Sequence, residues 1–135
     1  MDFEHLLGLH TGLRREPLTI ADIDPFIARA LGARTCRVFL SAETIRKQLR
    51  RHADLPISAY RCAGPCLRRG SYHQDSPRSA VVLYTDQSTF GAHFRAYIKA
   101  TQAGHELYLV SFLTMRERDL RRELRKPYPV LRPGS

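Results

Sequence analysis

Residues 90–114 read FGAHFRAYIKATQAGHELYLVSFLT, and this stretch decides the fold class. Phe94, Ala96, Ile98 and Ala100 occupy alternate positions, with His93, Arg95, Tyr97 and Lys99 between them. A period of two puts the apolar set on one face of a half-buried β-strand and the polar set on the other. Gln102-Ala103-Gly104 turns the chain. Residues 106–114 alternate again, Leu107, Leu109, Ser111 and Leu113 against Tyr108, Val110, Phe112 and Thr114. Two such runs around a glycine-containing turn read as an antiparallel hairpin.

The flanks extend this sheet. Ala80–Tyr84 (AVVLY) is a further apolar strand, and Cys36–Leu40 (CRVFL) a short one. Ser41 is an N-cap for a helix over 42–52, with Glu43 in its first turn and Ile45 and Leu49 as its apolar stripe. Residues 116–125 read as a charged helix ended by Pro127 and Pro129. Residues 54–79, broken by Pro56, Gly64, Pro65, Gly70 and Pro77, read as irregular with one short helix around 57–62. Near the N-terminus, residues 3–9 predict a short helix before Gly12. Thr19–Asp22 has the form of a capping box with Asp at its last position, and Ile20, Ile23, Ile27 and Leu31 follow at helical spacing up to Gly32. Pro25 marks an alternative start, since proline suits the first helical position. The expected architecture is α+β: N-terminal helices packed on a curved, roughly four-stranded antiparallel sheet, with a short C-terminal helix.

At 135 residues, with 43% apolar and 26% charged residues, the chain has the length and balance of one globular domain. No apolar run approaches the roughly 18 residues that span a bilayer. The acidic start, Met1-Asp2-Phe3-Glu4, lacks the basic region of a secretory signal, so the expected location is cytoplasmic. Three cysteines in such a chain argue against a disulfide framework. The net charge of +9 points to a polyanionic partner, or to the arginine bias of a GC-rich genome, since only three of the 22 cations are lysines. The excess is uneven: residues 34–73 carry +7 and residues 104–135 carry +3, whereas residues 1–33 carry −2.

Several groups carry possible chemistry, each with a plainer reading beside it. Arg46, Lys47, Arg50, Arg51 and His52 crowd one helix and its end. They suit phosphate binding and proton transfer. They equally suit a solvated face with cations at the negative end of the helix dipole. Lys99 and Tyr97 share a strand face, with Ser111 and Thr114 on the neighbouring strand; a lysine and hydroxyls can hold a phosphate. The polar side of any antiparallel sheet looks similar. Ser111 and Thr114 fall on opposite faces unless a bulge intervenes. Cys62-x3-Cys66 with His52 and His73 is a weak zinc pattern, and half-buried free thiols explain it as well. There is no glycine-rich phosphate loop, nucleophile elbow or His-Glu-x-x-His. The expected complement is no metal and no cofactor.

The order of elements resembles the barnase–EndoU–colicin–RelE-like (BECR) superfamily of RNases, especially its small phage-encoded branch. The resemblance runs through Val38-Phe39-Leu40-Ser41, Glu43–Lys47 and His52, Val81–Tyr84, Ala96–Thr101, Ala103-Gly104, Glu106–Phe112 and the basic run from Arg121 to Arg132. It covers residues 36–132. This makes 36–135 a BECR-like nuclease domain and 1–35 a helical N-terminal extension. The resemblance implies metal-independent RNA cleavage, in which the ribose 2′-OH attacks the adjacent phosphate and leaves a 2′,3′-cyclic phosphate. By position, His52 is the acid–base candidate, Lys99 stabilises the phosphorane, and Ser111 and Thr114 position phosphate oxygens. Arg46, Lys47, Arg50, Arg51 and Arg116 are RNA-binding candidates, and Tyr97 stacks a base. No second histidine is clear, with His93 and His105 as candidates. The partners implied are RNA and, for a toxin or prophage effector, an acidic inhibitor or antitoxin protein. Such an effector acts in a cytoplasm, its own or that of a cell into which it is delivered. The alternative is a non-catalytic nucleic-acid-binding or phage assembly module with a degenerate nuclease-like fold.

Overall fold

A computed structural model gives the structure of the chain and describes residues 3–12, 15–51, 55–89 and 91–135. The elements are α1 (Phe3–Thr11), β1 (Leu18–Asp22), α2 (Pro25–Ala30), β2 (Arg37–Leu40), α3 (Ala42–Arg51), a 3-10 segment (Ile57–Cys62), α4 (Ala63–Arg69), β3 (Ser71–Ser76), β4 (Ser79–Asp86), β5 (Ala92–Ala100), β6 (Leu107–Met115), α5 (Glu117–Leu124) and β7 (Val130–Arg132). The fold is α+β. Its sheet has seven strands in the order β1-β2-β6-β5-β4-β3-β7.

This corrects the expected four-stranded antiparallel sheet in two ways. The sheet is mixed, because β2 runs parallel to β6 through Val38–Leu107 and Phe39–Tyr108. It also gains β1, β3 and β7. Thr19–Asp22 opens no helix: residues 18–22 pair antiparallel with β2, and the helix begins at Pro25 under an Asp24 cap whose carboxylate accepts from Phe26 N at 2.8 Å. Leu18 and Ile20 are buried strand positions, which a mixed Leu-Thr-Ile-Ala run satisfies as well as a helix would. Residues 1–35 therefore contribute a strand to the same sheet that residues 36–135 build. The segment 71–76 reads Ser-Tyr-His-Gln-Asp-Ser, too polar to announce a strand; its pairing with β4 and the burial of Tyr72 make it one.

One face of the sheet carries the core. Val38, Leu40, Ala80, Val82, Phe94, Ala96, Ile98, Leu107, Leu109 and Phe112 meet Leu6 and Leu9 of α1, Ile27 of α2, Ile45 of α3 and Leu67 of α4 there. Phe112 is fully buried, with ring centroids 5.3 Å from both Phe94 and Tyr60. Full burial of a side chain this size contributes roughly 1.5–3 kcal/mol. The opposite, outer face is partly covered by α5. The sharp β5–β6 turn relies on Gly104, at φ +79°, whose carbonyl accepts from Arg34 N at 2.7 Å.

Candidate nucleic-acid interface

The outer face is built by alternation on β5. His93, Arg95, Tyr97 and Lys99 all face away from the core, as the sequence pattern requires. On β6 the alternation breaks. Tyr97 stands opposite Ser111, but Ile98 stands opposite Leu109, so Val110 is a bulged residue without a partner. A bulge shifts every later side chain to the other face. Leu107, Leu109 and Phe112 point to the core, while Tyr108, Ser111 and Leu113 join the Lys99 face. Thr114 pairs with Phe94 and shares the opposite face. Of the two hydroxyls read from the sequence, the structure places Ser111 with Tyr97 and Lys99, and not Thr114.

The floor around these residues is polar and ordered. Tyr97 OH donates to Ser79 Oγ at 2.9 Å, and Ser79 Oγ donates to Asp75 Oδ1 at 2.7 Å. Burial raises the Tyr97 pKa above its ordinary value, so the phenol stays a donor at neutral pH. The Arg95 guanidinium lies 5.9 Å from the centre of the Tyr97 ring and 3.3 Å from Glu123 of α5. Glu123 also holds Lys126 at 2.9 Å. His73 of β3 lies in the same register row as Val81, Tyr97 and Ser111. Its Nε2 is 2.8 Å from Ser71 Oγ, and burial lowers its pKa below the ordinary 6.5, against an opposing pull from Glu123. The imidazole is neutral at pH 7.

α5 is fixed over one end of this face by Glu117 and Glu123. Glu117 Oε2 accepts from His93 Nε2 at 2.7 Å, and the other ring nitrogen, Nδ1, lies 2.8 Å from Thr85 Oγ1. The Arg95–Glu123 pair is the second tie. The Asp119 carboxylate, whose pKa is lowered chiefly by accepting from Arg116 N at 3.2 Å, caps the helix start. Arg116 follows the end of β6, and Lys99 pairs with Tyr108 near its start. Seven to eight residues of strand place them more than about 20 Å apart. Arg116 is therefore not brought to Lys99.

α3 is brought to β6 at Ser111's neighbour. β2 pairs with β6 only through Leu107 and Tyr108, which leaves the rest of that edge without a strand. Buried Gln48 covers it, donating from Nε2 to Phe112 O at 2.6 Å. Ser41 caps the helix as expected, its Oγ accepting from Thr44 N at 3.1 Å. Arg46, Lys47, Arg50 and Arg51 are exposed on the solvent side, and Arg46 and Arg50 line a groove of about 750 Å³ against α1 with His10, Glu43 and Leu49. His52 lies outside the described residues.

At the open end of the outer face, Lys99 borders a shallow depression of about 290 Å³ lined by Arg78, Ala100, Thr101, Gln102, Tyr108 and Val110. Tyr108 OH donates to Glu106 Oε2 at 2.7 Å, and its ring lies 6.2 Å from Phe39. Among the described residues, neither Arg78 nor Lys99 forms an ion pair, whereas Arg95 and Lys126 both do.

Arg78, Arg95, Tyr108 and Glu123 are not among the candidate site residues of the sequence, and His73 enters there only through the weak zinc pattern. His93 and Arg95 are legible as neighbours of Lys99 by alternation alone. The place of His73 on this face is not legible, because residues 71–76 do not read as a strand. The thiols do not support a zinc site: Cys66 is buried in the core, its pKa raised by that burial, and Cys62 donates to Asp86 Oδ2 at 3.4 Å. Among the described residues, no group of three or more His, Cys, Asp or Glu side chains converges as metal ligands. No described helix is long and apolar enough to cross a membrane. The chain matches no family model, no curated protein and no solved structure.

Proposed function

We propose that the chain is an endoribonuclease of toxin or prophage effector type that cleaves RNA by attack of the ribose 2′-OH on the adjacent phosphate. The observation that carries this reading is the open polar face on which Lys99, Tyr97 and Ser111 stand together, with Arg95 next to Tyr97 on the same strand face and His73 in the Tyr97 register row two strands away. In-line attack forms the bond from O2′ to phosphorus and breaks the bond to O5′, leaving a 2′,3′-cyclic phosphate and a 5′-OH. It needs a base for the 2′ proton, an acid for O5′, and fixed donors for the charge gathered on the phosphorane. The Lys99 ammonium meets that charge, the Ser111 hydroxyl donates to a non-bridging oxygen, and His52 is the proton-transfer group. The exposed α3 cations hold flanking phosphates. This chemistry asks for charge and hydrogen-bond donors from side chains, and the Lys99 ammonium and the Tyr97 and Ser111 hydroxyls on this face support the reading.

The test is incubation of the chain with total RNA and with tRNA, with and without EDTA, followed by analysis of the fragment ends. The expected result is EDTA-resistant fragments with cyclic-phosphate ends, lost in Lys99→Ala. RNA recovered intact at high protein concentration, with affinity falling steeply as salt rises, would favour the non-catalytic binding module instead.

A further inference from the structure

We infer that the depression beside Lys99 is a subsite for one unpaired nucleotide of single-stranded RNA, with its phosphate on Arg78 and Lys99 and its base stacked on Tyr108. This rests on the reading of the outer face as an RNA surface, and it specifies the class of RNA that the face selects.

The two cations come together through the sheet. Ser79 stands opposite Lys99 on the β4–β5 ladder, and Arg78 precedes it, its carbonyl accepting from Ala100 N at 2.8 Å. Neither spends its charge on a carboxylate among the described residues. The nearby acids are already engaged: Glu106 by the Tyr108 hydroxyl and Asp75 by Ser79. Two unneutralised cations, Arg78 in the β3–β4 turn and Lys99 on β5, border one depression and are a site for an anion. A guanidinium suits phosphate because its donors form a planar fork.

The third wall is aromatic. Tyr108 stands directly opposite Lys99, where cross-strand Cβ atoms lie about 5 Å apart. Its ring is held from two sides, by Phe39 at 6.2 Å and by the hydroxyl bond to Glu106. Such a ring gives a base a stacking partner at small further cost in side-chain freedom. The bulge puts exposed Val110 beside it and extends the apolar surface. At about 290 Å³ the depression is near the lower end of ligand sites, about 300 Å³, and admits a single nucleotide unit. A base can stack on Tyr108 only if it is unpaired, whereas a duplex offers this surface phosphates alone.

The experiment measures binding of a 2′-O-methyl pyrimidine hexamer, which lacks the attacking hydroxyl, by fluorescence anisotropy. The expected result is that the single strand binds more tightly than the same hexamer annealed to its complement. Tyr108→Leu is expected to weaken the single strand about tenfold with an unchanged salt slope, while Tyr108→Phe binds as the unaltered chain does. Arg78→Gln should lower the salt slope by about 0.7, the share of one phosphate on a single strand. Equal binding of strand and duplex would overturn the proposal, as would full affinity in a Tyr108→Leu protein of unaltered circular dichroism. A hexamer with abasic positions serves if Tyr108→Leu does not fold: undiminished affinity for it on the unaltered chain would also overturn the stacking. Because the hexamer is not cleaved, its binding is read separately from activity. RNA left intact in the cleavage test removes the nuclease reading and leaves this subsite standing.

Discussion

Tyr97 and Ser111 stand opposite each other on the outer face of the sheet, one ladder position from a bulge at Val110. Without that extra residue Phe112 would point outward and Ser111 into the core. With it, Phe112 is fully buried between Phe94 and Tyr60, and the serine hydroxyl joins Lys99. One displacement in register thus fills the core and equips the candidate site.

Phe112→Ala should destabilise the protein by about 3–5 kcal/mol, the range for removing a buried phenylalanine into a close-packed core. Deletion of Val110 should cost more, because it reverses the facing of all later β6 side chains. Urea unfolding followed by circular dichroism measures both, and a Val110 deletion as stable as the parent chain would contradict the described register.

The hydroxyls should separate in activity. Lys99→Ala is expected to lower kcat/KM for RNA about 100-fold, as for the loss of a donor aimed at developing charge. Ser111→Ala is expected to lower it about tenfold, the value of a modest hydrogen bond. Thr114→Ala should leave it within about twofold, since Thr114 shares its face with Phe94. Single-turnover cleavage with each variant provides the comparison, and a Thr114 defect equal to that of Ser111 would count against the bulge assignment.

His73 gives the fold a predictable acid sensitivity. Burial lowers its folded pKa below 6.5, so between the folded and unfolded values the unfolded chain binds more protons. The stability it contributes is present above pH 6.5 and is lost as pH falls through that value toward the folded pKa. His73→Gln should therefore flatten the drop in urea midpoint between pH 7.5 and pH 5.5. An unaltered drop would assign the sensitivity to other groups.

Gly104→Ala should destabilise by roughly 1–3 kcal/mol from backbone strain at its positive φ. Its Cβ would also overlap the Gly32 carbonyl oxygen, where the β5–β6 turn meets the end of the α2 segment. Thermal unfolding of the variant checks this. A melting temperature equal to the parent's would show that the two segments part without cost.

Much of this molecule was legible in its sequence because local rules governed it. The β5 alternation gave the faces of Phe94 through Ala100 without ambiguity, and Ser41 and the residues after it gave α3. The β6 alternation was equally regular on paper and was misread after Leu109, because nothing in Leu-Val-Ser-Phe marks which residue bulges. The decision lay with Phe94 and Tyr60, which come from distant stretches and offer Phe112 a place to pack.

The same division holds for the site. Composition and periodicity determined the basic character of residues 34–73, the exposure of Lys99 and Tyr97 on one strand face, and the α+β class. These depend on neighbours in sequence. Tertiary structure decided that a polar run at 71–76 becomes a strand carrying His73, and that Glu123 of α5 holds Arg95 while Lys99 and Arg78 keep their charge free. It decided as well that Tyr108 joins them around one depression. Those outcomes rest on pairing and burial between segments far apart in the chain, such as Tyr72 with Arg132 and Phe39 with Tyr108, and no short window along the chain contains both partners.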